Sequence, residues 1–136
     1  MRGVYVLIIS VNKEIAVGIG ALGKVNFEKG LYAYVGSAQK SLEKRLERHL
    51  RKGKRKFWHI DYLLGSESVK VVKAFYKEAE KFEECKVAKK LSEKGVPVVN
   101  FGCSDCSCVS HLFRFGDYYF LRNLMFDLRF CPFLLC

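Results

Sequence analysis

Two tyrosines, an arginine and a histidine have types and spacing that could do chemistry. Gly3-Val4-Tyr5 and Tyr34-Val35-Gly36 precede a basic segment that carries Arg45 and His49. Together these supply two phenols, a guanidinium and an imidazole, a set suited to a phosphate. The guanidinium is a planar fork that matches two phosphate oxygens. A free phenol, with a pKa near about 10, is a poor base at neutral pH. Neighbouring cations would favour its phenolate. Either tripeptide alone recurs by chance, and a tyrosine in an apolar strand is commonly a core residue. The order of the motifs, with a basic helix behind them, is what singles them out.

The elements that must position these groups can be read from pattern. Residues 3–10, GVYVLIIS, form a buried strand that stops before Asn12. Residues 14–19 are a partner strand weakened by Gly18. Residues 31–36, LYAYVG, form a strand with Tyr32 and Tyr34 on one face and Leu31, Ala33 and Val35 on the other. Leu42, Leu46 and Leu50 give a narrow helical stripe. Ser41 or Ser37 caps its start and Gly53 suits its end. Arg45 and His49 are four apart and flank that stripe, so they should sit near the sheet. Lys44, Arg48 and Arg51 should point outward. Residues 57–64, FWHIDYLL, alternate as a strand, with His59 and Asp61 on one face. Residues 69–76 make another strand. Residues 78–94 make a charged helix with Phe82, Cys85, Ala88 and Leu91 inward, ending at Gly95 and stopped by Pro97.

The chain has 136 residues, half of them hydrophobic, and a formal charge of +10. Its length fits one packed domain. From Lys40 to Lys56 nine basic residues face two acidic ones, so this stretch holds +7 of the +10. That concentration is the footprint of phosphate binding, against the plainer reading of a solvated helix face. Lys44, Arg48, Arg51, Lys52, Lys54, Arg55 and Lys56 are the candidate nucleic-acid-binding residues. No leader and no bilayer-spanning run is evident, and the basic helix has too narrow a stripe for a membrane surface. A cytoplasmic setting, with its six cysteines reduced or metal-bound, is the expectation.

With Tyr5, Tyr34, Gly36, Arg45 and His49 in that order, the chain resembles the GIY-YIG nuclease superfamily. YAYVGSA, RLERHL and WHIDYLL look like a small archaeal and bacterial branch of it. The resemblance covers roughly residues 3 to 115. It implies an α/β (α+β) fold, a small central antiparallel sheet flanked by helices. It also implies an endonuclease that hydrolyses DNA with one Mg²⁺ or Mn²⁺; the superfamily includes a DNA-repair nuclease subunit and homing endonucleases. By the resemblance, Tyr5 and Tyr34 are the motif tyrosines, with Tyr5 favoured as general base. Arg45 is the phosphate clamp and His49 a polar site position. Glu84 is the metal ligand, with Glu80 and Glu83 as competitors, and Asn100 lies where some members carry an asparagine. The chain departs from the pattern in valine at positions 4 and 35. Its Tyr34 also lies 29 positions after Tyr5, which leaves room for an inserted hairpin around residues 14–29. Charge alone leaves RNA open beside DNA. A module that kept the basic helix and lost catalysis is the alternative function.

Three further features stand outside the resemblance. Cys103, Cys106, Cys108 and His111 are ligand types that zinc accepts, though their spacing is tight and irregular. Packed thiols, or a redox-formed link in an oxidising setting, are the plainer readings. His59 and Asp61 could form an acid–base or metal pair, or simply a structural hydrogen bond. Residues 116–136 change composition to an aromatic, lysine-free tail, set apart from a domain over residues 1–115. Such a tail packs on the domain, covers a second copy or another protein, or has little order.

Overall fold

The first strand, β1 (Gly3–Val11), runs through the middle of the molecule because almost nothing in its sequence suits water. A continuous apolar run of this kind needs cover on both faces, and it has it. The structure, a computed structural model, describes residues 1–133. It is a mixed α+β fold built on a six-stranded antiparallel sheet. The other elements are β2 (Ile15–Gly18), β3 (Lys24–Phe27), β4 (Gly30–Ala38), α1 (Leu42–Leu50), α2 (His59–Leu64), β5 (Val69–Glu78), α3 (Glu83–Lys94), β6 (Val96–Pro97), β7 (Leu112–Phe115), α4 (Tyr118–Asp127) and β8 (Cys131–Pro132). The sheet order is β6-β7-β4-β1-β5-β8. Strands β2 and β3 form a separate hairpin in the sequence gap between the two tyrosine motifs.

Alternation along β1 sorts its side chains between two cores. Tyr5, Leu7 and Ile9 face one way, with Tyr32 and Tyr34 of β4, under α1, α2 and the hairpin. Val4, Val6 and Ile8 face the other way, under α3 and α4. The pairing of β1 with β5 slips by one residue between Ile8 and Ile9. The extra residue, Val72, makes a bulge there.

Several expectations need correction. Residues 57–64 do not form a strand: His59–Leu64 is helical. The Asp61 carboxylate accepts hydrogen bonds from the backbone N–H groups of Phe57 and Trp58, each 2.9 Å long, and so holds the start of the helix. A short stretch with this mix of apolar and polar residues fits a strand and a helix about equally by period alone. The long helix begins at Glu83 rather than 78, because β5 runs on to Glu78. Phe82 precedes it and is 60% exposed, while Val87 takes an inward place beside Ala88 and Leu91.

The segment from Gly116 packs on the same sheet as the rest. Leu121 and Met125 of α4 and Phe130 are buried in the second core. Strand β8 pairs with Phe75 and Tyr76, and the Phe133 N–H donates to Ala74. Tyr119, Phe120 and Phe126 remain exposed. Residues 134–136, the end of the aromatic tail, lie outside the described residues. Among the described residues no helix is long and apolar enough to cross a membrane.

Candidate active site

The two tyrosine motifs lie on the two central, hydrogen-bonded strands. Register places Tyr5 opposite Gly36 and Leu7 opposite Tyr34. Both tyrosines therefore emerge on the α1 face, with ring centroids 6.4 Å apart. A Cβ on Gly36 would stand 2.4 Å from the Tyr5 hydroxyl, so only glycine leaves that phenol its place. The Ser41 hydroxyl caps α1 by accepting from Lys44 N, and this helix presents Arg45 and His49 to the tyrosines.

Tyr5, Tyr34, Arg45, Trp58, His59 and Glu84 line one cavity of about 860 Å³, with Lys40, Lys44 and Lys81 also on its wall. Arg45 is held twice. Its Nη1 donates to the Ser37 carbonyl at 2.9 Å, and its guanidinium lies 4.4 Å from the Trp58 ring centroid. Ser37 also reaches the opposite wall, where its hydroxyl donates to Glu84 Oε1 at 2.6 Å. Glu84 Oε2 lies 2.8 Å from His111 Nδ1. Glu80 pairs with Arg2, and Glu83 lies near Lys77 and Lys86, so of the three glutamates Glu84 is the one on the cavity wall.

His49 does not line the cavity. It is 2% exposed, behind Tyr5, with Nε2 2.7 Å from the Tyr5 hydroxyl. Burial pushes its pKa down to about 3, with Asp61 pulling the other way, so the imidazole is neutral near pH 7. Its Nδ1 is buried with no hydrogen-bond partner. An orphaned N–H is rarer in folded proteins than an orphaned acceptor. The proton therefore belongs on Nε2, which donates to the Tyr5 oxygen and leaves the Tyr5 proton free to turn toward the cavity. Burial raises the pKa of both tyrosines, and the Arg45 charge opposes it without prevailing. In the free protein both are phenols at neutral pH.

The basic segment divides. Lys44 stands exposed on the cavity wall, but Arg48 does not point freely outward. It makes a two-pronged bond to the buried Asp61 carboxylate, at 2.8 and 2.9 Å. Burial pushes the Asp61 pKa up, but Arg48 and the two backbone donors hold it below the usual range. His59 and Asp61 are thus no pair. His59 Nδ1 instead accepts from the Gly102 N–H at 2.9 Å. Lys52 Nζ donates to the carbonyls of Leu64 and Val69, and Lys54 Nζ to those of His49 and Arg51. Arg51, Arg55 and Lys56 are exposed, with Lys56 near the Tyr62 ring. Asn100 is exposed and is not among the residues lining the cavity.

The candidate zinc quartet also changes. Cys106, Cys108 and His111 converge, but Cys85 of α3 takes the fourth place instead of Cys103. Sequence spacing could not show this, because Cys85 is far away along the chain. Ser37 and Trp58 were likewise missed: a serine beside a motif glycine and a tryptophan in an apolar run carry no signal of their own.

No curated protein and no solved structure matches the chain. A family model does, over residues 4–128, and that span takes in both motif tyrosines, α1, the cysteine loop and α4. The chain belongs to the family described as a domain of unknown function, DUF123.

Proposed function

We propose that this protein is a metal-dependent endonuclease of GIY-YIG type that hydrolyses DNA phosphodiester bonds. The observation that carries the reading is the gathering of Tyr5, Tyr34, Arg45 and Glu84 around one cavity walled by lysines. Arg45 is preorganised by Ser37 and Trp58, so its fork can take two phosphate oxygens without first being ordered. Lys44 and Lys81 draw the polyanion in. The Tyr5 oxygen meets the attacking water. The Tyr5 phenol proton leaves to solvent through the cavity, a step that His49 Nε2–H and the Arg45 charge favour. The phenolate then takes a proton from that water as the new oxygen–phosphorus bond forms and the bond to the leaving sugar oxygen breaks, solvent protonating the leaving oxygen.

One divalent ion fits the residues present. Glu84 offers a carboxylate 16% exposed on the cavity wall, with one protein partner on each oxygen. Mg²⁺ typically takes one or two carboxylates and completes its shell with water. When bound it would polarise a phosphoryl oxygen and add positive field near the phenols.

A second reading, a nucleic-acid-binding module without catalysis, has its own support. Burial keeps Tyr5 protonated, and Glu84 is already engaged by Ser37 and His111. The experiment is cleavage of supercoiled plasmid and of branched DNA with Mg²⁺ or Mn²⁺, using wild type, Tyr5→Phe and Glu84→Gln. Cleavage by wild type that both variants lose supports the nuclease. Salt-sensitive binding by all three without cleavage supports the module. Cleavage that both variants retain overturns the site.

A further inference from the structure

Behind the cavity wall three thiols and an imidazole converge from separate parts of the chain. Cys85 comes from α3, Cys106 and Cys108 from the loop after Phe101, and His111 from the residue before β7. Their four donor atoms all lie within 4.8 Å of one another. His111 Nε2 is 3.5 Å from Cys106 Sγ. Four atoms about 2.1–2.3 Å from a common tetrahedral centre would stand about 3.4–3.8 Å apart, so the His111–Cys106 pair already fits and the cluster need close by only about 1 Å at most around an ion. Packed thiols alone need no such arrangement, and a disulfide would use two of the three and leave the imidazole without a task.

Two features around the cluster favour a metal over packing. The first is the carboxylate behind the histidine. Glu84 Oε2 lies 2.8 Å from His111 Nδ1, off the line of an ideal N–H···O bond. A carboxylate there places the ring proton on Nδ1 and leaves the Nε2 lone pair facing the thiols. Metal-ligating histidines are oriented in this way. The second is the loop itself. Residues 102–110 contain no regular element, and their backbone–backbone bonds include only a weak turn from Cys103 to Cys106 and a closing bond from Asn100 to Val109. A cross-link from Cys106 and Cys108 to α3 would fix a segment whose Ser104 and Asp105 lie on the cavity wall.

We infer that Cys85, Cys106, Cys108 and His111 form a closed, structural zinc site that ties the loop to α3. Three sulfurs and one nitrogen suit Zn²⁺ rather than Mg²⁺ or Ca²⁺, which take oxygen. With four protein ligands there is no open position, so the ion is structural. Glu84 then serves both sides: it orients the zinc-bound histidine and faces the cavity. The site is read without substrate, so it stands or fails independently of cleavage.

The test is metal content of the full chain purified without chelator, then replacement by Co²⁺. The expected result is one zinc per chain and a thiolate-to-Co²⁺ charge-transfer band. Cys85→Ser and Cys106→Ser should lose the zinc, while Cys103→Ser keeps it. Wild type provides a check that needs no variant to fold. Alkylation mapped by mass should spare Cys85, Cys106 and Cys108 until a chelator is added, while the exposed Cys131 reacts at once. Metal-free protein that takes up neither Zn²⁺ nor Co²⁺ overturns the inference. So does a disulfide within the trio, or loss of metal on Cys103→Ser.

Discussion

Gly36 and Tyr5 face each other across the β1–β4 ladder, and the phenol of one occupies the space a side chain on the other would need. The glycine of the second motif is thus a condition for the tyrosine of the first. Gly36→Ala would force its Cβ to within 2.4 Å of the Tyr5 hydroxyl in the middle of the sheet. The expected cost is about 1–3 kcal/mol, as for other overpacked cores. The displaced phenol should also lower plasmid cleavage by about 100-fold, since a misplacement near 1 Å has that effect. Thermal melting and a cleavage time course on one preparation check both. Unchanged cleavage with a normal Tm would remove Tyr5 from the chemistry.

His49 gives a pH dependence whose sign can be worked out. Its folded pKa, near 3, is below the ordinary histidine value of 6.5. The unfolded chain therefore binds more protons between these limits, and stability rises with pH there. The contribution is fully present above about 6.5 and is lost as pH falls toward about 3. Its size is of the order of a few kcal/mol. His59 acts in the same direction and His111 in the opposite one, so the difference between wild type and His49→Gln isolates the term. Urea unfolding across this range should show a shallower acid loss in His49→Gln. Parallel curves would place the imidazole in water rather than behind Tyr5.

The sheet, the tyrosine faces and α1 were legible because period and cap agree there. In β1 and β4 alternation and composition point the same way, and Ser41 marks the start of the leucine stripe. Failures came where tertiary contacts decide. The sequence pairs Asp61 with His59, as an acid–base or metal pair or as a structural hydrogen bond, but its partners are Arg48 and two backbone amides that only the folded loop brings near. Arg48 looked outward by helical angle, yet a buried carboxylate draws it in. Strands β6, β7 and β8 are too short to show a period, and Cys85 joins its cluster across a long sequence gap.

Glu84 is separated from its neighbours by what each touches. Glu84→Gln keeps the size and the acceptor for Ser37 but removes the charge facing the cavity. Cleavage should fall by about 100-fold or more, as when another charge-stabilising group is removed. Glu80→Gln and Glu83→Gln should change it little, since neither they nor their partners Arg2, Lys77 and Lys86 are among the residues lining the cavity. Mn²⁺-dependent rates for the three variants decide the matter. Equal losses in all three would assign the effect to bulk charge.

The buried Asp61 carries structure rather than catalysis. Its side chain is fully covered, and it satisfies the Arg48 guanidinium and the Phe57 and Trp58 amides. Asp61→Ala leaves a guanidinium only 21% exposed without its carboxylate. Breaking such a pair from one side costs about 3–5 kcal/mol. The Tm should fall sharply, and Trp58 fluorescence should report a loosened Arg45 platform. A Tm within error of wild type would show that solvent already screens the pair.

Under the proposed function, the same geometry predicts which lysines would meet nucleic acid. Lys44 is exposed on the cavity wall, whereas Lys52 is tied to the carbonyls of Leu64 and Val69. A cation that contacts a phosphate releases about 0.9 counterions on B-DNA. Lys44→Ala should therefore weaken binding to any duplex sequence and reduce the log–log salt slope by about 1. Lys52→Ala should leave that slope nearly unchanged and lower the Tm instead, because its ammonium satisfies backbone acceptors between α2 and β5. Fluorescence anisotropy over a salt series, beside melting curves, reads both effects. If Lys52→Ala changed the slope and Lys44→Ala did not, the polyanion would cross the far end of α1 rather than the cavity mouth.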